Sequence, residues 1–297
     1  MSIYSQRRTA LFQSHDKNSV IIIVGNSQKV RSKNIKYHFR PDNDFFYFTG
    51  FNEPDAVAVF RPHHQNPYTL FVRGKDAAAE VSFGARAGEQ GAVEKYGADF
   101  AYDIKSLNNV LPTLLENRTQ VFYLDEQELY ASQILKWIAQ QRRHSGFDVI
   151  KRYRQVWPFR SDAHDKRVIK ESNELSLIRH AVEASTHAHK QVMKTCRPGI
   201  NETFLAATFD YEIAKHNCQD VAYPSIVAGG NNGCCLHYEE NNCVLNDGEM
   251  LLIDAGAEYQ QYCADITRTY PINGKFTESQ KVIYELVLLA LDTAIAR

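Results

Sequence analysis

The stretch LLIDAGAEYQQYCADITRTYP, residues 251–271, decides how this chain is read. It sets two aspartates, Asp254 and Asp265, among strand-forming residues. Met250 to Ile253 is a short apolar run, and Ile266 to Tyr270 is rich in β-branched and aromatic side chains, so both read as strands. Glu258-Tyr259-Gln260-Gln261 between them is polar enough to turn, and the stretch is read on the supposition that it is a β-hairpin. Side chains alternate faces along a strand. Any even-length turn near Tyr259 to Gln261 therefore puts positions 254 and 265 on one face, either directly opposed or one diagonal step apart. Opposed residues on one face have Cβ atoms about 4.5–5.5 Å apart. Two carboxylates at that distance repel, so either one takes a proton or a cation sits between them. An oxygen-only pair suits a hard divalent ion such as Mn²⁺ or Mg²⁺, and an added imidazole widens the choice to Zn²⁺, Co²⁺ or Fe²⁺. Two exposed loop acids, or a helix cap beside a surface salt bridge, account for the same spacing, and the pattern alone leaves these alternatives open.

Working outward, the whole chain has an ordinary globular composition. Of 297 residues, 44% are hydrophobic and 23% charged, which argues for two domains with a sizeable core. The formal net charge of −1 points to no polyanionic partner, and the pairs Arg142-Arg143 and Lys151-Arg152 read as solvated surface rather than a nucleic-acid patch. All six cysteines lie in the second half and none forms a Cys-x-x-Cys pair, so reduced thiols in a reducing compartment are expected. The N-terminus lacks the apolar core of a signal peptide. The run Val20 to Val24 is far shorter than the roughly 20 residues a membrane helix needs. A cytoplasmic protein with no membrane partner is the expectation.

From residue 20 to about 150, strand-like and helix-like segments alternate. Val20 to Val24, Ala56 to Phe60, Thr69 to Val72 and Val121 to Leu124 read as strands. Glu126 to Gln141 reads as a helix, with Leu129, Ile134, Trp137 and Ile138 near one face. This argues for an α/β domain with a mainly parallel or mixed sheet. The aromatic stretch PDNDFFYFTGF, residues 41–51, reads as a core-lining strand and turn. The pattern changes around Trp157-Pro158-Phe159-Arg160, and the domains are set at 1–165 and 166–297. Ser172 is the expected N-cap of a helix carrying Leu175, Ile178, Val182 and Val192, stopped by Cys196-Arg197-Pro198-Gly199. A second helix runs from about Asn201 to His216, with Leu205, Phe209 and Ile213 spaced by four. Tyr223 to Gly230 is strand-like and then glycine-rich. Thr277 and Gln280 form a Thr-x-x-Gln capping box for a last helix running to Ile295.

His237 precedes the acid-bearing hairpin and is a candidate for substrate contact or proton handling, set against a satisfied core or surface group. His187 and His189 lie two apart on a helix, point to different faces, and read as structural or exposed. Cys263 stands two residues before Asp265.

These residues together resemble the bacterial-type Xaa-Pro aminopeptidases (aminopeptidase P), metallopeptidases of the pita-bread fold. FRPDNDFFYFTGFNEPDAV, residues 39–57, is similar to the signature of that family's N-terminal domain. Tyr223 to Gly233, Leu236-His237-Tyr238, Leu252 to Gly256 and Ala264 to Pro271 resemble its later motifs in order. The resemblance implies a creatinase-like α/β N-terminal domain followed by an incomplete pita-bread catalytic domain. The implied activity is removal of the first residue from peptides with proline second. It would use two divalent ions, typically Mn²⁺, that activate a hydroxide. By motif position, Asp254 is similar to the bidentate aspartate of one metal and Asp265 to the aspartate shared by both. His237 matches the histidine that hydrogen-bonds substrate, and Tyr223 a pocket-lining tyrosine. A homo-oligomer, dimer or tetramer, is implied for the full-length protein.

Two departures stand out. Ser82, ahead of Phe83-Gly84, replaces a tryptophan that helps shape the substrate end of the family's cleft. The family's remaining ligands, one histidine and two glutamates, lie far downstream, whereas no histidine follows His237 here. After Asp265 the acids are Glu278, Glu285 and Asp292. The expectation is therefore a C-terminally truncated enzyme, inactive alone. A non-catalytic peptide-binding remnant of the fold and a prolidase-like Xaa-Pro dipeptidase are the alternatives.

Overall fold

Five consecutive β-branched residues, Val20 to Val24, make a strand that is buried along its whole length, β1 (Ser19–Val24). The computed structural model describes residues 2–116, 118–123, 132–137, 139, 155–158 and 160–297. The chain divides into two compact units, Met1–Ile169 and Lys170–Arg297. The boundary expected at residue 165 falls inside the helix Arg160–Val168, just before that division.

In the first unit a short ribbon, β2 (Val30–Ser32) and β3 (Ile35–Lys36), precedes β4 (Val57–Phe60), β5 (Tyr68–Val72), β6 (Phe100–Asp103), β7 (Gln120–Tyr123) and β8 (Gln155–Pro158). The main sheet has the order β6-β5-β4-β1-β7-β8. It is mixed: β1 and β5 run antiparallel to β4, while β1–β7, β5–β6 and β7–β8 are parallel. Period-two alternation sorts the side chains of β1 between two cores. Ile21 and Ile23 join Leu11, Phe45 and Phe48 on one face, and Val20 and Ile22 join Leu107, Leu111 and Trp137 on the other. Helices cover both faces, the arrangement that alternating strands and helices lead one to expect. Of the helix read over 126–141, residues 132–137 and 139 are helical, with Ile134 and Trp137 buried. Leu129, Ile138, Phe159 and the pairs Arg142-Arg143 and Lys151-Arg152 lie outside the described residues.

The aromatic stretch corrects the sequence reading, because it is a helix, Asn43–Thr49. Asp42 caps it by accepting from the Phe45 amide at 2.8 Å. Gly50 ends it in the left-handed region, at φ 65°, where a Cβ would be strained. Phe45 and Phe48, three apart, then share the core-facing side. Cap and stop residues outweighed the β propensity of the aromatics between them.

The second unit packs two helices, Ser172–Thr195 and Glu202–Ala214, against a strand system. Its strands are β9 (Asp220–Val221), β10 (Ile226–Gly229), β11 (Met250–Asp254), β12 (Ala257–Tyr259), β13 (Tyr262–Cys263) and β14 (Thr267–Pro271). They form two three-stranded antiparallel sheets, β10-β11-β14 and β13-β12-β9. Ala184, Ala188 and Val192 from the long helix meet Leu205, Phe209 and Ile213 from the shorter one and Leu251, Ile253 and Ala255 from the hairpin. The cap of the long helix is Glu171 rather than Ser172. Glu174 closes the capping box by accepting from the Glu171 amide at 2.8 Å, and its other oxygen accepts from the Tyr262 hydroxyl at 2.7 Å. That second bond ties the start of the helix to β13. The Thr277–Gln280 capping box opens the last helix, Glu278–Ile295, as expected.

Candidate metal centre

The hairpin keeps a single register along its whole length. Met250 faces Pro271, Asp254 faces Thr267, Glu258 faces Cys263 and Tyr259 faces Tyr262. The turn is the two-residue step Gln260-Gln261, with φ 47° and 72°. Positive φ at both central residues is the mark of the turn whose twist matches a two-residue hairpin. On this register Gly256 stands opposite Asp265, so Asp265 is one diagonal step from Asp254 and on the same face. That is one of the two placements parity allowed. Asp254 is the last residue of β11, whereas Asp265 lies in the break between β13 and β14. Asp254 is partly buried and Asp265 exposed, so the pair is a rim site at the hairpin rather than two acids sunk in the core.

Bridging the pair is Tyr223, in the bend before β10. Its hydroxyl lies 2.5 Å from Asp254 Oδ1 and 3.1 Å from Asp265 Oδ1. One proton thus faces two carboxylate oxygens, and the hydroxyl can donate fully to only one of them. Burial, then the hydrogen bond to Asp254 and the nearby negative charges, push the Tyr223 phenol far above its usual range. It therefore stays a donor at any physiological pH. Two like charges converging on a single hydrogen are unfavourable unless a cation joins them, although the exposure of Asp265 lets solvent screen part of the repulsion.

Two carboxylates are an oxygen-only donor set and fit part of the shell of a hard divalent cation. They do not fill it. Among the described residues no group of three or more His, Cys, Asp or Glu side chains is placed to hold an ion. The later acids, Glu278, Glu285 and Asp292, are exposed on the last helix.

His237 is not joined to this pair by any hydrogen bond. It is exposed, just after the 3-10 turn Gly230–Cys234. The neighbouring Tyr238 fixes that loop by donating to Glu202 Oε2 at 2.8 Å. Glu202 is fully buried and also accepts from the amides of Gly229 (2.8 Å) and Cys243 (2.9 Å) and from Asn232 Nδ2 (3.1 Å). Sequence reasoning passed over Glu202, whose one local signal was its place directly after the Asn201 cap. Of the two helical histidines, His187 is part-exposed beside Glu212, and His189 is buried with Nε2 at 3.0 Å from the Ala255 carbonyl. Ser82 and Phe83 are exposed, and the Cys263 thiol is exposed at 3.4 Å from Glu258.

Comparison with known proteins is decided by both halves together. Residues 176–297 match Metallopeptidase family M24, and residues 4–123 match the Aminopeptidase P, N-terminal domain. The chain is 37% identical to Xaa-Pro aminopeptidase of Escherichia coli (strain K12), over 98% of this chain and 67% of that relative. The chain belongs to metallopeptidase family M24. Among solved structures, E. coli aminopeptidase P with the inhibitor Pro-Leu superposes with a TM-score of 0.92 at 36% identity, over 99% of this chain and 67% of that one. A zinc-substituted E. coli aminopeptidase P in complex with product gives the same TM-score and identity, over 99% and 68%. The fold is therefore an aminopeptidase P-type N-terminal α/β domain followed by part of the M24 pita-bread domain. The chain spans about two thirds of the length of these relatives. M24 membership implies divalent metal ions for the family. Among the described residues no helix is long and apolar enough to cross a membrane.

Proposed function

We propose that this chain carries the first part of a metal-dependent aminopeptidase site that releases the N-terminal residue from peptides with proline in second position. The observation that carries the reading is the convergence of Asp254 and Asp265 on the Tyr223 hydroxyl. Asp254 and Asp265 would hold the divalent ions, Mn²⁺ first, with Zn²⁺, Co²⁺ and Fe²⁺ suited where an imidazole completes the set. Bound divalent ions of this kind supply a water ionised near neutral pH and charge stabilisation at a carbonyl oxygen. The Tyr223 hydroxyl donates to the Asp254 carboxylate and orients it. His237, exposed on a loop that Glu202 and Tyr238 brace, would hydrogen-bond the peptide. Among the described residues two carboxylates leave most of a two-ion shell unfilled, so turnover by this chain alone is not expected. A cytoplasmic homo-oligomer is the setting we propose, acting on proline-containing peptides.

The test is release of free arginine from Arg-Pro-Pro, measured on the gene's whole product with Mn²⁺ and with a chelator. Activity that disappears with chelator and falls at least about 100-fold in Asp254→Ala supports the reading. Turnover unchanged by Asp254→Ala overturns it. Cleavage confined to Xaa-Pro dipeptides moves the substrate class to that of a dipeptidase.

A further inference from the structure

Ala255 and Gly256 join β11 to β12 immediately after Asp254, and the Ala255 amide still donates to the Ile266 carbonyl of the return strand at 3.2 Å. The long helix Ser172–Thr195 adds two side chains there. His189 Nε2 lies 3.0 Å from the Ala255 carbonyl oxygen, and Ser185 Oγ accepts from the Ala257 amide at 2.9 Å. A carbonyl can only accept, so Nε2 carries the proton, and burial favours the neutral ring. Ser185 in turn donates to the Ala181 carbonyl at 2.7 Å, which fixes which way its lone pair points. Both side chains are buried, and the His189 ring packs edge-on against Phe209 at 5.3 Å.

The spacing of these contacts is matched. Helical residues four apart share a face about 6 Å along the axis. Strand residues two apart share a face about 6.7 Å along the strand. Positions 185 and 189 can therefore hold positions 257 and 255 at once. On the far side of the same segment, the Ala264 carbonyl oxygen would lie 1.8 Å from a Cβ at Gly256, so the return strand is pressed directly onto it. The Ala264 amide also donates to the Ala257 carbonyl at 3.0 Å. Asp254 is the residue before the clamped segment, and Asp265 is the residue after Ala264.

We infer that Ser185 and His189 are positioning residues, a helix-borne clamp on residues 255–257 that sets the spacing of Asp254 and Asp265. The inference rests on the metal-site reading above and adds what holds that site open to an ion. Both residues act on the acids only through the backbone they hold.

The test uses the 297-residue chain and two readouts: Mn²⁺ affinity, from the electron paramagnetic resonance of free Mn²⁺, and hydrogen exchange across residues 251–267 without metal. Ser185→Ala and His189→Phe are each expected to weaken Mn²⁺ binding about tenfold and to speed that exchange. Val192→Ala, fully buried on the same helix, is the control for general destabilisation. It packs in the same core, so it speeds exchange across the whole second unit alike and leaves Mn²⁺ affinity near the parent's, whereas the clamp variants speed exchange over 251–267 more than in the helices. Clamp variants that match Val192→Ala in both readouts overturn the inference. If the parent chain and Asp254→Asn alike take up no Mn²⁺, the metal reading fails. The exchange readout then decides the clamp alone: exchange speeded over 251–267 more than in the helices upholds it, and exchange speeded alike, as in the control, overturns it.

Discussion

A buried imidazole that donates to a backbone carbonyl has no use for a second proton, and His189 is in that position. Burial pushes its pKa below the ordinary 6.5, and the hydrogen bond to Ala255 only partly opposes the shift. Above pH 6.5 the ring is neutral in folded and unfolded chain alike and adds no pH dependence. As pH falls through 6.5 the unfolded chain takes up a proton that the folded one resists, so stability drops with falling pH until the folded pKa is passed. Urea midpoints compared between the parent chain and His189→Phe should therefore converge as pH falls below that value. A constant difference at every pH would mean that His189 does not titrate in this way. Tyr223 shows the opposite case, an acid held protonated by burial and by the carboxylates it faces.

At the scale of the element, the hairpin shows how closely two strands can approach when one position carries no side chain. Gly256 is not in a left-handed conformation; what it lacks is room, because the Ala264 oxygen fills the space of its Cβ. Gly256→Ala is expected to cost about 3 kcal/mol in urea unfolding, since the Ala264 oxygen belongs to the backbone and cannot rotate away. Gly233→Ala makes the contrast. Its Cβ would lie 3.6 Å from Leu252 Cβ, ordinary van der Waals contact, and the change should stay within about 0.5 kcal/mol. Equal effects at the two positions would show that the close approach is not what matters. The turn of the same hairpin carries glutamine at both positive-φ positions, where asparagine and glycine are the usual residues.

At the scale of the whole molecule, the last helix, Glu278–Ile295, has no buried residue. Val282, Ile283, Leu286, Val287 and Leu289 are each more than 60% exposed. Together they make a contiguous apolar surface of the kind that drives association when nothing covers it. Sedimentation should show the 297-residue chain associating as its concentration rises. The double change Leu286→Glu with Leu289→Glu should reduce that association and leave the thermal midpoint unchanged, because neither side chain contributes to the core. Association undiminished in the double variant would place the sticky surface elsewhere.

The sequence by itself determined what depends on neighbours along the chain. Strand β1 follows from five successive β-branched residues, and the last helix starts where Thr277 and Gln280 say it does. Asp254 and Asp265 share a face because parity along a hairpin is unchanged by any even shift of the turn. Even local signals competed at residues 41–51, where Asp42 and Gly50 turned an aromatic run into a helix, and at the long helix, where Glu171 took the cap from Ser172. Tertiary structure decided the rest. Tyr223 reaches acids 31 and 42 residues away. His189 and Ser185 meet backbone 66 and 72 residues ahead, and Glu202 gathers donors from the end of β10, the 3-10 turn after it and Cys243. Such bonds form only once helices and sheet have packed, because the energy that brings those groups together comes from burying Val192, Phe209 and Ile253 rather than from anything written beside the residues that bond.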